Sequence, residues 1–170
     1  MTAPVNIQMT VNGEAVSCAV APRETLADFL RQGLELTGTH TGCEMGVCGA
    51  CLVVLDGQVV HSCLTFAVQA DGSVIETIEG LNDRSVIADI QEAFHARNAL
   101  QCGFCTSGVL MTAHSLLSQP GVPSREQIRD ALSGNYCRCT GYEAIVDAIE
   151  SVARDRAAAP AARQIEEAGA

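Results

Sequence analysis

The sequence predicts an α+β protein: a small strand-rich unit with one helix, followed by a compact bundle of four helices. Two observations carry this. Before residue 80, apolar residues alternate with period two around Asn-Gly and Asp-Gly turns. After Gly80 they fall into helical stripes joined by short connections, the pattern of a bundle. Hydrophobic residues make up 48% of the 170, enough to bury a core in one domain or two small ones.

In the first half Val5, Ile7, Met9 and Val11 alternate, Asn12-Gly13 turns the chain, and Ala15 to Val20 alternates back as a hairpin. Thr25 is placed to cap a short helix to about Leu34, with Asp28 at its third position. Leu52–Leu55 and Gln58–His61, joined by Asp56-Gly57, form a second hairpin, and Val74–Ile78 a further strand. The second half predicts helices over Ser85–Asn98 and Thr106–Gln119, the latter stopped by Pro120-Gly121. Ser124-Arg-Glu-Gln127 and Thr140-Gly-Tyr-Glu143 read as capping boxes for helices to about Leu132 and Ala153. The expected domains are residues 1–80 and 81–155, with an Ala-rich tail over 156–170 that extends the last helix or frays.

The formal charge of −10, with no run of basic residues, argues against nucleic acid or an anionic membrane as the main partner. No basic stretch leads into an apolar segment at the N-terminus, and no apolar run approaches the ~18 residues of a membrane span. The expected location is the cytoplasm, a reducing compartment where clustered cysteines bind metal or do redox chemistry.

There are nine cysteines. Cys43, Cys48 and Cys51 share one loop and Cys63 follows the second hairpin, giving the C-x4-C-x2-C…C spacing of a plant-type [2Fe–2S] site. Three thiolates from one loop require the backbone to wrap tightly, which Gly42, Gly46 and Gly49 permit, with amide N–H groups turned to the sulfurs. Zinc also takes four thiolates, but more often from two short knuckles. The second group pairs Cys102 and Cys105, before the Thr106 helix, with Cys137 and Cys139, before the Thr140 helix. Helix N-termini favour anionic thiolates, and residues two apart in extended chain face the same way. This C-x2-C…C-x-C spacing is less specific and is compatible with zinc as well as iron–sulfur.

With both groups in place the chain resembles the small iron–sulfur subunit of the molybdenum hydroxylases, the xanthine oxidase family. The resemblance rests on Gly38-Thr-His-Thr-Gly-Cys-Glu-Met-Gly-Val-Cys-Gly-Ala-Cys51, Gln101-Cys-Gly-Phe-Cys105 and Asn135-Tyr-Cys-Arg-Cys-Thr-Gly-Tyr142, in that order. It implies a plant-type ferredoxin-like β-grasp domain followed by a four-helix domain, each holding one [2Fe–2S] cluster. Cys43, Cys48, Cys51 and Cys63 would bind the cluster nearer the electron acceptor. Cys102, Cys105, Cys137 and Cys139 would bind the one nearer a molybdopterin, in its cytosine dinucleotide form, held by a large partner subunit. Gln101 and Cys139 would lie against the pterin. FAD on a medium subunit, or another acceptor, would receive the electrons. A free-standing two-cluster carrier is the alternative.

Among the remaining residues Cys18 reads as a structural thiol, His40 as a loop hydrogen-bonder rather than a ligand, and Phe104 as a core residue of the bundle, with a place near the electron path as its alternative. Arg138 is equally compatible with a solvated or locally paired side chain and with a contact to an acidic partner surface or a cofactor phosphate. A Rieske arrangement, with two histidine ligands, is unnecessary beside eight suitably spaced cysteines. No nucleotide-binding glycine motif or nucleophile–base arrangement is evident, so substrate turnover is not expected from this chain alone.

Overall fold

A computed structural model describes residues 3–168. The first hairpin pairs β1 (Val5–Val11) with β2 (Glu14–Val20) in the expected register, Val11 opposite Glu14. Asn12 and Gly13 both have positive φ, as a type I′ turn requires. The second hairpin, β3 (Leu52–Leu55) and β4 (Gln58–His61), has the expected bounds and uses Asp56 and Gly57 in the same way. The last strand, β5 (Val74–Glu76), pairs parallel to β1 and antiparallel to β3, giving a mixed sheet in the order β2-β1-β5-β3-β4.

Thr25 caps α1 (Leu26–Asp28): its hydroxyl accepts from the Asp28 amide and donates to the Asp28 carboxylate. The helix then widens into a π turn over Phe29–Gly33. The predicted strand to Ile78 ends two residues early, because α2 (Ile78–Asp83) starts there and carries Gly80 inside it. The remaining helices are α3 (Ala88–Ala96), α4 (Thr106–Leu117), α5 (Arg125–Ala131) and α6 (Glu143–Ala168). Ser124 and Gln127 close the predicted capping box on α5. The last helix does not stop near Ala153; its backbone continues to Ala168. Among the described residues no helix is long and apolar enough to cross a membrane.

Two apolar cores result. One packs Ile7, Met9, Val11 and Ile75 of the sheet against Leu26, Phe29 and Leu30. The other joins Ile90, Phe94, Val109, Met111, Ile145 and Ile149 of the helices. Strand β3 belongs to both: Val53 enters the first core, while Leu52 and Val54 face the helices. A strand covered on both faces is continuously apolar, which is why Leu-Val-Val-Leu shows no alternation. Cys18 lies partly buried against the sheet core, and burial followed by the nearby Glu24 charge raises its pKa, in keeping with a structural thiol.

His114 of α4 gives the fold an expected pH dependence. Its Nδ1 is buried without a hydrogen-bond partner, and burial lowers its pKa below the ordinary 6.5; Glu76 opposes the shift, and Arg156 and Arg84 add to it. The unfolded chain therefore takes up a proton near pH 6.5 that the folded chain resists, so stability falls as pH drops through that value. His114→Gln should flatten the stability curve between pH 7.5 and about 5.5 relative to wild type, measured by urea unfolding at several pH values.

Candidate metal centres

The second hairpin builds the first thiol group. Its register places Leu52 opposite His61, so Cys51 and Ser62 flank the same end of the ladder. Fully buried Ser62 donates its hydroxyl to the Cys51 carbonyl at 2.7 Å, and Cys63 follows on a 3-10 turn. Cys51 and Cys63 pack together with Ala27 of α1 and share a side-chain hydrogen bond. Cys43 faces Cys48 in the same way and lies near enough to Cys63 for their charges to interact. The loop amides of Met45, Val47 and Cys48 donate towards Cys43 and lower its pKa to about 7. Burial raises Cys63 to about 11, with Cys51 adding to the shift.

The second group forms where α4 begins. Cys105 is the N-cap of α4, and Cys102 lies one turn earlier. The Cys139 and Cys102 sulfurs stand 3.6 Å apart, and Cys105 is hydrogen-bonded to Cys137. Burial raises Cys105 to about 12, the Cys137 contact adding to it. Cys137 moves the other way: burial opposes the shift, but Thr140 donates both its hydroxyl and its amide to the sulfur and prevails. That use of Thr140 corrects the expected capping box. The hydroxyl accepts from the Tyr142 amide at 3.2 Å while donating to Cys137, and α6 starts only at Glu143, so Cys137 and Cys139 sit in a loop ahead of the helix. Tyr142, with positive φ, holds that loop by accepting from the Cys137 amide and donating to the Asn135 carbonyl.

Each group thus consists of two facing thiol pairs. Two thiolates on one tetrahedral metal at 2.3 Å stand roughly 3.8 Å apart, close to the Cys102–Cys139 separation. Among the described residues no three His, Cys, Asp or Glu side chains are grouped to hold a single ion. Pairs of thiols suit a two-metal centre, and donated amides would offset its negative charge.

The other residues divide. Gln101 is exposed and donates to the Cys139 carbonyl at 3.0 Å, so the two lie side by side at the surface with exposed Cys102. His40 Nδ1 donates to the Phe104 carbonyl at 2.8 Å, the expected loop hydrogen bond. Phe104 is not in the bundle core: it is 49% exposed, and its ring stacks on His40 with centroids 4.8 Å apart. Arg138 is exposed.

Residues 9–77 match the family described as "2Fe-2S iron-sulfur cluster binding domain", and residues 77–150 the "[2Fe-2S] binding domain" family. The chain is 53% identical over 145 residues to the nicotine 6-hydroxylase small subunit of Paenarthrobacter nicotinovorans, covering 85% of this chain and 87% of that one. It belongs to the small iron–sulfur subunits of the molybdenum hydroxylase family. Caffeine dehydrogenase subunit gamma of a Pseudomonas species is 51% identical over 149 residues, covering 86% of this chain and 89% of that one. The crystal structure of quinoline 2-oxidoreductase from Pseudomonas putida 86 aligns with a TM-score of 0.84 at 47% identity, covering 94% of this chain and 98% of the matched one. This iron–sulfur subunit therefore carries two [2Fe–2S] clusters and serves an oxidoreductase by electron transfer.

Proposed function

We propose that Cys43, Cys48, Cys51 and Cys63 hold one cluster, that Cys102, Cys105, Cys137 and Cys139 hold the other, and that the second faces a molybdopterin on a large partner subunit. The observation that carries this reading is the asymmetry of exposure. Cys102 and Cys139 open to the surface beside Gln101, whereas Cys51 and Cys63 are buried behind the second hairpin. Each cluster, when bound, supplies a one-electron couple. The protein's part is to hold the thiolates, donate amides to them and exclude water. Gln101 and Cys139 present a polar edge to the pterin, in its cytosine dinucleotide form, and the Cys43 loop faces the acceptor side, with FAD on a medium subunit.

The β-grasp and helical units over 1–80 and 81–155 complete the reading, with the Ala-rich stretch 156–170 extending the last helix and its final two residues outside the described ones, and the complex works in the cytoplasm. Substrate choice lies with the molybdenum subunit. Relatives named for nicotine, caffeine and quinoline point to an N-heteroaromatic compound.

The test is iron and acid-labile sulfide content of the natively purified protein, with EPR after dithionite reduction. Four ligands per cluster predict about four irons and four sulfides per chain and two S = 1/2 signals. Co-elution with a much larger subunit is expected. A lone chain on size exclusion would favour a free carrier, and iron-free protein prepared anaerobically would overturn the ligand assignment.

A further inference from the structure

We infer that Asn135 is a positioning residue for electron exchange between the two clusters, because it holds the hydrogen bond that joins their binding loops. The inference rests on the ligand assignment proposed above. The Tyr136 amide donates to the Cys48 carbonyl at 2.9 Å. Cys48 belongs to the first thiol group and Tyr136 directly precedes Cys137 of the second. A route of side-chain and main-chain bonds, interrupted by that single hydrogen bond, therefore runs from one sulfur to the other. Tunnelling decays less steeply through bonds than across a van der Waals gap, so the geometry of this link bears on the rate.

Asn135 is built to fix that geometry. It is 2% exposed, a rarity for a polar side chain, and both ends of its amide are used. Its Oδ1 accepts from Thr112 Oγ1 of α4 at 2.8 Å, and its Nδ2 reaches the Gly49 carbonyl at 3.5 Å, the residue after Cys48. Its own carbonyl accepts from the Tyr142 hydroxyl, which accepts in turn from the Cys137 amide. One buried side chain thus ties the first loop, helix α4 and the second loop together around the Cys48–Tyr136 contact. The His40–Phe104 stack joins the same loops at the surface, but it is exposed and none of its atoms belongs to a ligand residue.

Two variants test this in the holo complex. Asn135→Ala removes both side-chain links. Thr112→Val keeps the shape of a helix residue outside both loops and removes only the hydrogen bond that orients Asn135. Both should retain about four irons per chain and two EPR signals. Electron exchange between the clusters, followed after flash reduction, should slow on the order of tenfold or more, as loss of an outer partner does at metal sites. The spin–spin splitting between the reduced clusters should change, and amide exchange in the peptide containing Tyr136 should accelerate. A merely structural role would lower melting temperature and leave exchange and splitting unchanged in fully loaded molecules. If Asn135→Ala loses a cluster, Thr112→Val decides alone: unchanged exchange and splitting there overturn the inference. A wild-type protein without two signals would instead overturn the ligand assignment.

Discussion

Cys105→Ser is expected to remove the second cluster and leave the first. Iron and sulfide should fall from about four to about two of each per chain, with one of the two EPR signals persisting. The reason lies in where Cys105 sits. It is the N-cap of α4, half-buried, with a pKa raised to about 12 by burial and its neighbouring thiols, so a serine hydroxyl there would be still harder to deprotonate. Iron needs the deprotonated ligand, and a neutral hydroxyl cannot replace it. The helical core of Ile90, Phe94, Met111 and Ile149 has Cys105 packed at its edge, and serine, nearly the same size, keeps that contact filled. The variant should therefore fold, keep its first cluster and co-elute with its partner. Electron delivery to the acceptor should drop by at least about 100-fold, because the relay has lost one of its two clusters. Loss of both clusters, or retention of both, would contradict the assignment of Cys105 to a separate second centre. Cys43→Ser should show the reciprocal pattern.

How much of this was legible in the sequence follows from how local each feature is. Both hairpins were readable to within a residue because Asn12-Gly13 and Asp56-Gly57 encode their turns within two positions. The membership of both thiol groups was readable from their spacing, but only the first spacing pointed to a particular chemistry; the second, C-x2-C…C-x-C, left zinc open. The parallel pairing of β1 with β5 was not, since no local signal distinguishes a parallel partner. Gly80 suggested a break, yet it lies inside α2. There a Cβ would meet the Asn12 side chain at 2.3 Å, and Asn12 bonds Thr77 through both side-chain ends. Thr140 carried a cap pattern, but its hydroxyl accepts from the Tyr142 amide, one residue short of Glu143, while donating to the sulfur of Cys137. Phe104 was assigned to the core by its apolarity, whereas its loop turns it outwards onto His40.

The residues that join the two centres were the least legible. Asn135 opens the third of the resemblance strings but was given no role there, and Thr112 lies in none; both matter because two loops distant in sequence meet at them. Gly108 offered one faint signal, a glycine inside a strongly helical stretch where Ala would propagate the helix better.

That glycine carries the other large expected effect. In an ordinary helix Gly→Ala stabilises by up to about 1 kcal/mol. At position 108 a Cβ would lie 1.9 Å from the Gly49 carbonyl oxygen and 2.9 Å from its carbon, both backbone atoms that no rotamer change can move aside. Nor can the first loop retreat: Gly49 is at φ +70°, and its own Cβ position is already blocked by the Gly134 carbonyl at 2.4 Å. Helix α4 must therefore lift away from the loop, taking Thr112 and Cys105 with it and opening the Cys48–Tyr136 hydrogen bond. Overpacking of this kind costs roughly 3 kcal/mol, and in a chain of this size such a loss lowers the melting temperature by on the order of 10 °C. Gly108→Ala should thus melt well below wild type and lose iron from both centres at once, unlike Cys105→Ser. Gly134→Ala is the internal control. It sits at the same junction, but a Cβ there meets nothing within 4 Å, so its melting temperature and iron content should match wild type. If Gly108→Ala keeps four irons and melts with the control, the two centres do not depend on this contact, and the loops are held together by the Asn135 network alone.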